Sequence, residues 1–120
     1  MSPIVAIVDD DDRVLEALED LLQSAGHEVR LFRSAKALLD GDDFAAIDCL
    51  ISDIGMPAMG GLELERVAHE ARPELPVIFI TGRDLTDAVR AASQRSHGFF
   101  RKPFDAQELL ATVRRALCGD

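Results

Sequence analysis

The chain has 120 residues, enough for one domain with its own core and no staple of disulfides or metal. Apolar residues make up 48%, too rich for disorder, and 22 acidic against 13 basic residues leave a formal net charge of -9. That balance excludes a module built to meet nucleic-acid phosphates or anionic lipid, and no apolar run approaches the roughly 20 residues that cross a bilayer. The opening MSPIVAIVDDDD lacks a basic n-region, and Cys49 and Cys118 stand apart with no partner motif. Both features set the expectation of a reduced, cytoplasmic protein.

Strand and helix patterns alternate along the chain. Ile4 to Val8 is a short, mostly β-branched apolar run that stops at acids, as a strand buried on both faces does. Val14, Leu18, Leu21, Leu22 and Ala25 follow at helical spacing, and Gly26 supplies the stop. Glu28 to Phe32 alternates charged and apolar side chains, which predicts a half-buried strand. Ser34 can cap a short helix through Leu39, ended by Asp40-Gly41. Cys49-Leu50-Ile51 leads to Asp53 as a third strand, and a Gly- and Pro-containing loop runs from Ile54 to Gly61. Leu62, Leu64, Val67, Ala68 and Ala71 predict a helix closed before Pro73. Val77 to Ile80 is a fourth strand, a helix is expected over about Asp84 to Gln94, and Phe99-Phe100 marks a fifth strand. Asp105 and Glu108 form a capping-box pattern before Leu109, Leu110, Val113 and Leu117. Strands joined through helices are parallel with right-handed crossovers. The expectation is an α/β fold: one doubly wound, five-stranded parallel sheet with five helices, filling residues 1–120 as a single domain with its core at about 3–117.

In such a sheet, ligands bind beyond the carboxyl ends of the strands. Asp9 and Asp10 follow strand one, Asp53 ends strand three, Thr81 ends strand four, and Lys102-Pro103 follows strand five. Asp11 and Asp12 read instead as caps of the first helix. Three carboxylates at one rim repel unless a cation joins them, and a hard divalent ion suits oxygen ligands. A metal, an ammonium and a hydroxyl around a carboxylate are what a phosphoryl group requires. Asp53, alone at the central strand end, is the acceptor candidate, and Asp9 with Asp10 is the metal cradle.

These pieces resemble the receiver domain of two-component response regulators, nearest to the nitrogen-fixation-regulator-like subfamily, over residues 3 to 117. The resemblance rests on Ile7-Val8-Asp9-Asp10, Asp53-Ile54-Gly55-Met56-Pro57, Gly61-Leu62-Glu63-Leu64, Pro76 to Gly82, and Phe99 to Phe104, in order and at the family's spacing. It implies a flavodoxin-like receiver topology and a phosphoryl group taken by Asp53 from a sensor histidine kinase or phosphotransfer protein. Mg²⁺ (or Mn²⁺) would be held by Asp10, Asp53 and the Gly55 backbone carbonyl, with Asp9 acting mainly through water. Thr81 and Lys102 would contact the phosphoryl group, Lys102-Pro103 would be a cis peptide, and Thr81 and Phe99 would form the switch. The output would be a reshaped face of the fourth helix, fifth strand and fifth helix, with a homodimer through that face as one consequence. The resemblance also implies a phosphoacceptor that catalyses only its own modification and the slow hydrolysis of its own acyl phosphate. No effector domain is expected in this chain, which reads as either a stand-alone regulator or a fragment of a longer, DNA-binding one, and the acidic balance sets the expectation of no direct nucleic-acid or membrane contact. Two departures concern that output face: Arg95-Ser96 replaces the family's usual Gly-Ala, and the loop after Gly82 is one residue short. Gly55 and Arg83 occupy positions that tune phosphoryl lifetime in the family.

Three other readings fit less well. A haloacid-dehalogenase-type phosphatase would use Asp9 and Asp11, but it needs a further acidic pair after Lys102 and leaves Asp53 without a role. A nucleotide-binding domain would need a Gly-rich loop after strand one, where four aspartates stand. A degenerate receiver would not keep Asp10, Asp53, Thr81 and Lys102 together.

Overall fold

The computed structural model of the chain describes residues 3–56, 58–82 and 96–118. Five strands, β1 (Ile4–Val8), β2 (Glu28–Phe32), β3 (Cys49–Asp53), β4 (Val77–Thr81) and β5 (Gly98–Arg101), form one sheet in the order β2-β1-β3-β4-β5. Every neighbouring pair is parallel. Among the described residues the α-helices are α1 (Asp12–Ser24), α2 (Ala35–Asp40), α3 (Gly61–Ala71) and α4 (Ala106–Leu117). The helix expected at about Asp84 to Gln94, together with Arg83 and Arg95, lies outside the described residues. A 3-10 turn at Asp42–Ala45 was not legible in the sequence.

Alternation along β1 divides the core. Val5 and Ile7 point to one face, where Leu15, Leu18 and Leu22 of α1 meet Leu109 and Val113 of α4. Ala6 and Val8 point to the other, where Ala35 and Leu38 of α2 meet Leu64 and Ala68 of α3. Helices therefore cover both faces, and β3 and β4 are buried at all five positions. That double burial is the reason their sequences are unbroken apolar runs up to their terminal polar residues.

The helix ends are built from short polar side chains. Asp11 caps α1 by accepting from the Arg13 N–H at 2.9 Å, as its place before the apolar periodicity predicts. Ser34 caps α2 through the Ala37 N–H, and Asp105 caps α4 through the N–H groups of Gln107 and Glu108. This is one half of the expected capping box. Gly26 stops α1 with φ at +88°, a backbone region that side chains disfavour. In α3 the buried set is Gly61, Leu64, Glu65 and Ala68, whereas Leu62 and Val67 are half-buried and Ala71 is exposed. The apolar pattern thus placed the helix correctly but missed a buried glutamate.

Leu18 is fully buried, so Leu18→Ala is expected to cost about 2–5 kcal/mol in urea denaturation. Lys36→Ala, which removes an exposed ion pair with Asp40, is expected to stay within about 0.5 kcal/mol. Equal losses in the two variants would contradict this division between core and surface.

Candidate functional site

The sheet's hydrogen-bond ladder runs one step past the strand ends and holds the rim residues in place. The Asp9 N–H donates to the Phe32 carbonyl at 3.1 Å, Ile54 to Ile80 at 3.0 Å, and Lys102 to Thr81 at 2.7 Å. Asp53 pairs with Ile80 in register, so Thr81 stands one residue further along the neighbouring strand. Asp9, Asp53 and Thr81 are buried and Asp10 is exposed. The Lys102–Pro103 peptide is cis.

Side chains from three of these ends converge. One carboxylate oxygen from each of Asp9, Asp10 and Asp53 lies within 4.8 Å of the others. The Lys102 ammonium is 3.0 Å from Asp9 Oδ2 and 3.7 Å from Asp53 Oδ2. Backbone donors complete the arrangement: the Asp11 N–H meets Asp9 Oδ1 at 2.9 Å, and the Gly55 N–H meets Asp53 Oδ1 at 3.3 Å. Phe99 is half-buried in β5, packed on the core face that α2 and α3 cover.

One ammonium does not balance three carboxylates. Two unit charges about 5 Å apart repel by roughly 3 kcal/mol at an effective dielectric of about 20. Asp9 registers this environment. Burial is the largest cause that pushes its carboxyl above the usual carboxylate range, and the neighbouring Asp53 charge adds to it. The hydrogen bonds from Asp11 and Lys102 oppose the shift without cancelling it. A compact set of carboxylate oxygens with surplus negative charge fits a hard, oxygen-seeking divalent cation. No sulfur or imidazole takes part: among the described residues, this acidic trio is the one group with metal-site spacing. Cys49 is strand filler, its thiol pushed up to about 12 by burial.

The geometry has recognisable counterparts. The model of the response regulator receiver domain matches residues 5–114. The chain belongs to the response regulator receiver domain family. Over 115 residues the receiver is 44% identical to the response regulator protein TmoT of Ectopseudomonas mendocina, covering 95% of this chain and 52% of that protein. It is 41% identical to the DNA-binding transcriptional regulator NtrC of Klebsiella pneumoniae, covering 95% of this chain and 24% of that protein. Among solved structures, the response regulator StyR matches with a TM-score of 0.87 at 37% identity, covering 98% of this chain and 60% of that one. The receiver thus spans about half of one such regulator and a quarter of another. Its sheet and two-sided helix cover are those of the family, and receivers are signalling domains of two-component systems. No helix among its described residues is long and apolar enough to cross a membrane.

Two features of the site escaped the sequence reading. The Asp11 N–H holds Asp9 from within the cap of α1, so the cap residue is itself tied to the site. The first residue of α3 also lies against the backbone of Asp53, an approach that a motif spelled as letters does not reveal. Of the expected output-face departure, Ser96 is described: its hydroxyl donates to the Gly98 carbonyl at 3.0 Å.

Two expectations follow for metal-free protein. Asp53→Asn removes one of the crowded charges, so melts in a chelator are expected to run from neutral to about 2 kcal/mol more stable. A clear loss would contradict the repulsion. The raised pKa of Asp9 means that the folded chain holds this proton above the pH at which the unfolded chain releases it, near 3.8. Its contribution to stability is therefore present below the unfolded value and is lost as pH rises through the folded one. Melts of Asp9→Asn and the parent across that window should show the variant gaining on the parent as pH rises. The opposite trend would mean that the Lys102 ion pair outweighs burial.

Proposed function

We propose that Asp53 is the phosphoacceptor of this receiver and takes its phosphoryl group from a phosphohistidine on a sensor kinase or phosphotransfer protein. The observation that carries the reading is the buried Asp53 carboxylate within 3.7 Å of the Lys102 ammonium and in one cluster with Asp9 and Asp10. Asp10, Asp53 and the Gly55 carbonyl would hold Mg²⁺, with Asp9 acting through water. Bound there, the ion would neutralise phosphoryl oxygens and lower the repulsion that an incoming anion meets.

The chain's own groups then divide the work. An Asp53 oxygen attacks phosphorus, a P–O bond forms, and the P–N bond breaks with its electron pair left on the departing imidazole. Lys102 is tethered by Asp9 at 3.0 Å, which keeps its ammonium beside the carboxylate where charge accumulates. The Thr81 hydroxyl would donate to a phosphoryl oxygen, and Phe99 would move inward as Thr81 is drawn across. Attack by water on phosphorus later returns Asp53 to a carboxylate. The domain turns over no external substrate in this reading and acts through protein contacts made by its altered surface, homodimerisation among them. In this reading residues 1–120 form a single cytoplasmic receiver domain.

Incubation with acetyl phosphate and intact-mass detection tests the proposal. The expected result is one phosphoryl group gained with Mg²⁺, none without it, and none in Asp53→Asn. A gain that persists in Asp53→Asn would place the acceptor elsewhere. Lys102→Ala is expected to slow phosphorylation more than it weakens Mg²⁺ binding, and equal losses would contradict the role assigned to the lysine.

A further inference from the structure

We infer that Gly61, with Gly60 in support, is a positioning residue that sets where the Asp53 backbone and the Gly55 loop sit. The inference rests on the reading of Asp53 as phosphoacceptor and adds a residue with no charge, hydroxyl or ligand atom in its side chain. Gly61 is the first residue of α3, and its missing side chain is what lets that helix begin against the end of β3. A Cβ at Gly61 would lie 2.6 Å from the Asp53 carbonyl oxygen and 3.0 Å from the Ile54 Cα. A Cβ at Gly60 would lie 2.8 Å from the Ile54 carbonyl oxygen. Both obstacles are backbone, so no side-chain rotation relieves them.

The obstructed backbone is the part that carries the site. The Gly61 N–H donates to the Ile54 carbonyl at 3.2 Å and closes the loop on itself. Ile54 in turn donates to Ile80 of β4. Inside this closed loop the Gly55 N–H reaches Asp53 Oδ1, and the Gly55 carbonyl is the proposed third metal ligand. The sheet ladder pins Ile54 from one side and α3 presses from the other. A methyl group at position 61 must therefore be accommodated by moving Asp53 and Gly55 relative to Asp9, Asp10 and Lys102. Reaching ordinary contact from 2.6 Å takes a displacement of about 0.8 Å. Misplacement of about 1 Å at a reacting group costs up to roughly a hundredfold in rate.

The test compares the parent with Gly61→Ala, Gly60→Ala and Val113→Ala. Val113 is buried in α4, on the opposite face of the sheet from α3, so its truncation loosens the fold without touching the loop. Two quantities are read at a temperature where each variant is folded by circular dichroism: the phosphorylation rate from acetyl phosphate, and Mg²⁺ affinity by calorimetric titration. Gly61→Ala is expected to lose about tenfold to a hundredfold in rate and to bind Mg²⁺ more weakly. Val113→Ala is expected to melt lower and keep both values. Gly61→Ala with parental rate and affinity overturns the inference, as does an equal loss in Val113→Ala. Should Gly61→Ala not fold, Gly60→Ala carries the decision, with slower phosphorylation and weaker Mg²⁺ binding expected and parental values overturning it. A parent that gains no phosphoryl group overturns the phosphoacceptor reading instead, and Mg²⁺ affinity alone then decides the positioning role. A parent that also binds no Mg²⁺ overturns both.

Discussion

Three carboxylates meet one ammonium at the carboxyl end of this sheet, and most of the surrounding structure keeps them there. Asp9 is fully buried, and burial wins over its ion pair with Lys102 in setting its proton affinity. Such an arrangement stands because the backbone at Asp9, beside Asp53 and at Lys102 is tied into the sheet. The ladder bonds of Asp9, Ile54 and Lys102 belong to the sheet, and the sheet is held by apolar residues packed on both of its faces. The stable part of the molecule thus carries an electrostatically unfavourable part, as sites that must bind charge commonly require.

The same constraint links the site to the helices. Asp11 caps α1 with its side chain and holds Asp9 with its N–H, so the start of α1 and the acidic cluster form one unit. At the other side, α3 begins directly against the Asp53 backbone. A shift in either helix is felt at the cluster, and a change of charge at the cluster is felt by both.

Much of this was legible in the sequence. β1, β3 and β4 were readable because strands buried on both faces show as unbroken apolar runs, and each meets its polar residue at the carboxyl end. The placement of Asp9, Asp10, Asp53, Thr81 and Lys102 along one rim follows from parallel topology alone. The division of the four consecutive aspartates was also readable, because a cap must precede the helical periodicity that starts at Val14. What stayed hidden depends on three-dimensional proximity. The acidic run does not announce that the Asp11 N–H turns back to Asp9. Glu65 looks like a solvent residue between Leu64 and Arg66 but is buried. Gly60-Gly61 reads as the end of a loop, and only the distances to the Ile54 and Asp53 backbone show it as a steric requirement.

The most direct measurement of the central claim is the melting temperature at neutral pH as a function of Mg²⁺, for the parent and for Asp10→Asn. A cluster with surplus negative charge binds the cation in the folded state alone. The parent should then melt higher with each increment of Mg²⁺, by about 2.7 kcal/mol of stability at a hundredfold excess over its dissociation constant. Asp10→Asn should lose most of that dependence. A parent whose melting temperature ignores Mg²⁺, or an Asp10→Asn variant that responds as fully as the parent, would contradict the account.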